Sequence, residues 1–430
     1  MIRSVLYKLI IAASLVACLL SLAGCLKDTC TSSYPYKIYM PVYQGLDEFR
    51  ASVKSEAPRE IEHPGKIYLY GQYIFLNELN KGIHIIDNSN PAAPDKFAFI
   101  SIPGNVDMAV KNNILYADSY IDLVALDISD PHSVKVSKRL ENIFPERIYE
   151  YGIQSDTGDN LLIIDFVIKD TVLTAPCDQG HAVPYLYDMA SNSAMVEFSS
   201  TASKSAASVS LGKSGSLARF ALLNNYLYTV NNYGLQAFEV QNPSQPAKRN
   251  NITIGWGIET IFPYNNHLFI GSMNGVFIYD ASNPAYPVQK GSFSHVQSCD
   301  PVVVENNLAY VTLRGGNACG GFENQLDVLD VADLSNPKLL KSYPMSSPYG
   351  LGIDAGKLFI CEGSYGLKFL DAQDAGNIST VKWLEGIDAY DVIPHNNVLL
   401  VTAKDGLYQY NYSNLQEPVL LSKLPIIVKE

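Results

Sequence analysis

An all-β chain made by repeating one four-stranded unit is the fold predicted for these 430 residues, and three observations predict it. Hydrophobic residues make up 47% and charged residues 17%, with 29 Gly and 23 Pro, so the chain can bury a core and is not disordered, collagen-like or coiled-coil. A run of apolar residues closing in an acid or amide recurs at Asp87, Asp127, Glu239, Asp280, Asp330, Asp371 and Asn411, in steps of 40, 112, 41, 50, 41 and 40. Upstream of these closures stand pairs of turn formers between apolar runs: Asn112-Asn113, Asn224-Asn225, Asn265-Asn266, Asn306-Asn307 and Asn396-Asn397. A period near 40 residues is the size of one blade of a β-propeller.

Each unit can be justified strand by strand. Strand A runs into the Asn-Asn pair, because asparagine tolerates the positive φ of a two-residue hairpin. Strand B follows, then a loop, then strand C, which ends at the acid. A Ser-Asn-Pro or Ser-Asp-Pro (Ser89 to Pro91, Ser129 to Pro131, Ser282 to Pro284, Ser335 to Pro337) stops strand C before strand D, since proline donates nothing to a ladder. Asp87, Asp127, Asp280, Asp330 and Asp371 recur once per unit. That recurrence fits acceptors for the backbone of the following turn better than catalytic or calcium-binding groups. The 112-residue step holds two units plus a surplus. Residues 147–172 supply two strands of an irregular third unit, including 161–165, and the Ser- and Ala-rich stretch 173–216 reads as a surface insertion. The count is then eight blades, with seven as the alternative. Lys37 to Val42 or Pro418 to Ile427 is expected to complete a terminal blade.

At strand C the chain resembles a known family. Leu123-Val-Ala-Leu-Asp127, Val276-Phe-Ile-Tyr-Asp280 and Asp327-Val-Leu-Asp330 are similar to the repeat of the LVIVD proteins, which are β-propellers of the bacterial envelope. The likeness spans roughly residues 64–420. It implies a propeller on a surface or periplasmic lipoprotein, with no common reaction and no catalytic residues to carry over. The long third unit and Tyr410-Asn411, where the last acid is missing, depart from the pattern.

Residues 1–24 read as a signal peptide: Arg3 and Lys8 precede an uncharged apolar stretch from Leu9 to Leu22. Leu22-Ala23-Gly24-Cys25 resembles a lipobox, which would make Cys25 the acylated N-terminus of the mature chain. The other reading is an ordinary signal peptide that happens to be cut before a cysteine. Residues 25–63 form the anchor, tether and lead, with a short helix expected from Leu46 to Val53, and 64–430 form the propeller. No later stretch is long and apolar enough to span a bilayer. Membrane contact is expected through the lipid alone, on an outer-membrane lipoprotein facing the periplasm or the surface. Leu26 in place of Asp resembles the outer-membrane sorting signal, and Lys27-Asp28 weakly resembles a surface-export signal.

Chemical motifs are sparse. There is no phosphate loop, no His-Glu-x-x-His and no nucleophile elbow. The seven histidines lack paired ligand spacing, and no cofactor is implied. The net charge of −12 argues against nucleic acid as a partner. One set of charges stands out: Lys66, Asp107, Arg147, Arg219, Glu259, Asp300 and Asp391 fall near the start of strand A, which lines a propeller's axis. They are either solvated, mutually paired charges at a channel mouth or a concave polar ligand site. Two function classes follow. One is a non-enzymatic module binding a protein or glycan partner. The other is a carbohydrate-active hydrolase or lyase using those carboxylates. Of the cysteines left after Cys18 and Cys25, Cys299 at the start of a strand A and Cys319 in the glycine-rich loop of the same unit come to one propeller face. A disulfide is expected there, with two free thiols or a metal site as alternatives.

Overall fold

The computed structural model describes residues 31–145, 161–176, 212–295, 298, 301–316 and 321–427, in two compact units. The larger unit is a β-propeller of seven blades, each an antiparallel sheet whose core is four strands consecutive in the chain. The blades occupy residues 64–101, 108–140, 220–253, 258–294, 302–344, 351–384 and 389–425. Within each blade the strands are named A to D from the axis outward. The inner strands neighbour one another around a closed ring that brings blade 7 against blade 1.

Eight blades were expected and seven are found. Leu161–Pro176, read as part of a third blade, is a strand of 16 residues that pairs with Thr31–Gly45 in a two-stranded sheet, and most of that pair forms the smaller unit. The stretch has the apolar pattern of a blade strand, but its partner lies over a hundred residues away in the chain, a separation local pattern cannot reveal. Val419–Pro425 does complete the last blade, as its strand D, whereas Lys37 to Val42 belongs to the two-stranded sheet. The only helix among the described residues is Leu46–Ala51. Its Phe49 is buried 5.5 Å from the ring of Tyr120, and its Arg50 Nε pairs with Asp122 at 2.8 Å.

The expected turns are present. φ is positive at both residues of Asn112-Asn113, Asn306-Asn307 and Asn396-Asn397, and at the first of the other two pairs. Asp87, Asp127, Asp280, Asp330 and Asp371 each accept, through Oδ1, the N–H two residues on, at 2.8–3.0 Å. Asn411 Oδ1 does the same for Ser413 N at 2.9 Å, so the missing acid leaves the turn intact. The hydroxyl and backbone N–H of Ser129 and of Ser282 hold Asp127 and Asp280 below the usual carboxylate range.

Tyrosines tie blade to blade. Tyr116 donates to Pro243 O and Tyr228 to Pro284 O, both at 2.8 Å and both across a blade boundary. Among the described residues no strand is exchanged where the ring closes. An apolar cluster of Ile67, Leu69, Ile74 and Leu76 with Ile393, Leu400 and Leu407 fills that seam. Gln409 Nε2 to Asn88 Oδ1 (2.6 Å) and Ser422 Oγ to Pro91 O (2.7 Å) cross it.

Candidate functional site

The starts of strand A converge on the axis, and there the chain has placed buried polar groups. Lys66 Nζ and Asp107 Oδ2 form an ion pair at 2.8 Å, with both residues at most 3% exposed. Burial pulls the Lys66 pKa below its ordinary value, and Asp107 only partly offsets it. Asp107 Oδ2 also accepts the N–H groups of Arg219 (2.5 Å) and Phe220 (3.2 Å), while its Oδ1 accepts Met108 N at 2.7 Å. Behind it, Asp118 Oδ1 accepts Asn105 Nδ2 at 2.8 Å and the N–H groups of Val106 and Asp107 at 2.9 Å. Asp391, 1% exposed, accepts Ser216 N at 3.1 Å, Ser216 Oγ at 3.3 Å and Val392 N at 3.0 Å.

The axis itself is occupied by the segment 212–219, which enters blade 3. Lys213 and Ser214 pair antiparallel with Leu69 and Tyr68 of blade 1. Gly212 N donates to Val110 O of blade 2 at 3.3 Å, and Ala218 O accepts Ile261 N of blade 4 at 2.9 Å. Lys213 Nζ reaches Pro394 O of blade 7. Ser216 Oγ accepts Leu351 N of blade 6 at 2.7 Å. Five of the seven inner strands are thus bonded to one short segment. Residues 212–216 were expected in a surface insertion, yet they lie at the centre, where Gly215 and Ser216 are buried. Blade 6 contributes Gly350 at the ring. A Cβ there would lie 2.4 Å from Asp391 Oδ1 and 2.9 Å from Ser216 Oγ, so the segment fits because that blade carries no side chain.

Of the expected ring, Lys66 and Asp107 meet directly. Asp391 meets the central segment, Arg219 joins through its backbone, and Glu259 stands half-buried in strand A of blade 4. Arg147, Asp300, Cys25, Cys299 and Cys319 lie outside the described residues. With seven blades, Arg219 is the ring residue of blade 3. Sequence reasoning missed Ser216, Gly350 and the Asn105–Asp118 support. A polar Gly/Ser tract reads as exposed, and nothing local marks it as axial.

Where strands B end and C begin, the same face carries a second set of groups. Glu78, 2% exposed, accepts His63 N at 2.6 Å and pairs with His84 Nε2 at 2.9 Å. Burial disfavours its charge, but His84 and two backbone N–H groups outweigh that and hold its pKa low. A cleft of about 270 Å³ lined by Arg59, Glu60, Glu62, Glu78 and Lys81 opens beside it. On blades 5 to 7, Arg314 stacks on Tyr349 at 4.0 Å, Tyr349 meets Tyr390 edge-on at 5.4 Å, and Lys368 pairs with Glu362 at 3.0 Å. Tyr233, Phe322 and Tyr365, in the connections from strand B to strand C, are exposed, as are Trp256 and Trp383 at or just after the ends of strands D.

The LVIVD repeat model matches residues 64–97, 104–140, 261–295 and 300–344, which fall on blades 1, 2, 4 and 5. The protein is thus a β-propeller carrying LVIVD repeats. No curated protein matches the chain. Among solved structures it is similar to Saccharomyces cerevisiae Sqt1 (7% identity, 88% of this chain and 89% of that one, TM-score 0.51). It is also similar to the computationally designed Ika8 protein (9%, 86% and 91%, 0.50) and to a protein from Lactobacillus plantarum (10%, 86% and 98%, 0.50). At such identities the likeness is one of fold alone.

Proposed function

We propose that this protein is a lipid-anchored, non-enzymatic binding module of the bacterial envelope. The observation that carries the reading is the state of the axial carboxylates. A carboxylate pair acting on a glycosidic bond needs one acid free to give a proton and room for substrate between the two. Asp107 is committed to Lys66 and three backbone N–H groups, Asp391 to Ser216 and Val392, and the segment 212–219 stands between them. Such a centre stiffens a ring and leaves its outer face to do the recognising.

The test is to incubate the mature protein with polysaccharide pools while following reducing ends and unsaturated products. No release above buffer is expected. Release that disappears in Asp391→Asn would make it an enzyme and overturn the reading. The anchor is tested separately. Cys25→Ala should move the protein to the soluble fraction with an unchanged circular dichroism spectrum, and a variant that stays with membranes through a high-salt wash would exclude lipid as the tether.

A further inference from the structure

The two tryptophans of the chain, Trp256 and Trp383, are both exposed, at 56% and 40%; Trp383 is bonded through its ring N–H to a tyrosine of a B–C turn, and the backbone just before Trp256 is bonded to another. In blade 6, Tyr365 immediately precedes Gly366, and its carbonyl accepts Trp383 Nε1 at 2.7 Å. In blade 3, Tyr233 immediately precedes Gly234, and its carbonyl accepts Ile254 N at 2.9 Å and Gly255 N at 3.2 Å, the two residues that lead into Trp256. Both tyrosines are 53% exposed. Asp107 bonds to the start of strand A in blade 3, and Ser216 joins the strand A starts of blades 6 and 7, so these ends sit together at one end of the axis. In an antiparallel meander the B–C turns lie at that same end. The two Tyr–Trp pairs therefore share one face, three blades apart.

The chemistry around them selects a ligand. Trp383 has its N–H satisfied internally and its ring held by Lys368 Nζ at 4.8 Å, so what it offers is a fixed apolar surface at little ordering cost. Lys368 is buried and paired with Glu362, and Lys382, the residue before Trp383 in strand D, points to the other side of the blade by the two-residue period. Glu385 and Asp388 follow Trp383, and Glu259 follows Trp256. Carboxylates accept hydrogen bonds from hydroxyl groups and repel anions, as does the net charge of −12. A flat C–H face bordered by hydroxyls fits an aromatic platform rimmed by acids, and a second exposed tryptophan on the same face fits a repeating chain.

We propose that this face binds a neutral, hydroxyl-rich polysaccharide, with Tyr365–Trp383 and Tyr233–Trp256 as stacking platforms. The proposal rests on the binding-module reading and names its ligand class. Because these are the chain's two tryptophans, intrinsic fluorescence reports on the platforms directly. Mature protein is titrated with xyloglucan, galactomannan and dextran as neutral probes, polygalacturonate as an anionic one, and poly-L-proline as a peptide one. Affinity electrophoresis runs in parallel.

At least one neutral polysaccharide should shift the emission and retard the protein. Trp383→Ala should weaken its binding about ten-fold or more, the size expected for a buried aromatic anchor. Trp383→Phe should retain most of the affinity, with circular dichroism confirming the fold of each variant. No shift with any neutral polysaccharide, or equal affinity in wild type and in the Trp256→Ala/Trp383→Ala double variant, overturns the proposal. A response to poly-L-proline alone also overturns it while leaving the binding module standing, and reducing-end release removes the module reading itself.

Discussion

At Asp280 one carboxylate oxygen accepts Ser282 N at 2.8 Å, and at Asn411 an amide oxygen makes the same bond to Ser413 N at 2.9 Å. The turn thus requires an acceptor and not a charge. Asp280→Asn should leave stability at neutral pH within about 0.5 kcal/mol, whereas Asp280→Ala should cost about 1 kcal/mol in urea unfolding. Acid separates the two further. The folded Asp280 titrates below its ordinary 3.8, so its charge contributes stability that is complete above that value and lost as pH falls through the folded pKa. The Asn variant should show none of that loss, and identical acid limbs for both proteins would refute the account. Asp107 is a different kind of acid, because it neutralises buried Lys66 and also caps the backbone entering blade 3. Asp107→Ala strands a buried cation and should cost roughly 3–5 kcal/mol. Lys66→Met should cost clearly less, since the carboxylate keeps three N–H donors and burial already disfavours the ammonium. Equal losses in chemical denaturation would mean that Asp107 does no more than pair the lysine.

Within a blade, two recurring features have unequal visibility in the sequence. The glycine that opens strand C in several units has a steric cause. At Gly234 and Gly275 a Cβ would sit 2.2 Å and 2.3 Å from the carbonyl oxygens of Ile252 and Phe293 on strand D, and φ at Gly275 is +154°. Gly275→Ala should therefore lower stability by more than the roughly 1 kcal/mol of an ordinary strand substitution, read as a fall in the urea midpoint at unchanged m-value. No change in the midpoint would show that strand D can give way. The asparagine hairpins and the acids could be read from the sequence, because each acts within a few residues of itself, whereas the glycines answer to a strand 18 residues further on. The irregularity that breaks the register of the C–D pair in all seven blades could not. On blade 1 it falls at Phe97, on blade 2 at Ser137 and on blade 4 at Lys290, side chains of unlike chemistry, since a bulge is set by the twist the whole sheet must take. The ring charges divide the same way. Lys66, Asp107 and Asp391 were found by their place at the start of strand A, while Ser216 and Gly350 were not. Their roles come from a long-range meeting of chain segments that has no local signature.

Around the whole ring, neighbouring blades are joined by short D-to-A connections at every boundary but two. Between blades 2 and 3 the chain departs through the residues after 140 and returns at 212, and between blades 7 and 1 no chain crosses. Both boundaries need other bonds. The first has Lys111 Nζ on Asn224 O at 2.9 Å and on Asn225 Oδ1 at 2.7 Å, with Tyr116 on Pro243 O. The second has its apolar cluster and the central segment, which holds blades 1, 6 and 7 from within. A segment fixed at the axis and continuous with blade 3 acts as an internal brace for the seam that covalent continuity does not protect. Ser216→Ala removes one acceptor from buried Leu351 N and one donor to Asp391, a loss of about 1–3 kcal/mol by the cost of an unsatisfied buried group. In a protein of this length such a loss moves the melting temperature by only a few degrees, so hydrogen exchange is the better measurement. Protection should fall first in Pro64–Tyr70, Leu351–Asp354 and Ala389–His395, the inner strands of blades 1, 6 and 7, while Val302–Glu305 of blade 5 keeps its own. A uniform decline across all inner strands would mean that the segment stabilises the ring as a whole and braces no particular seam.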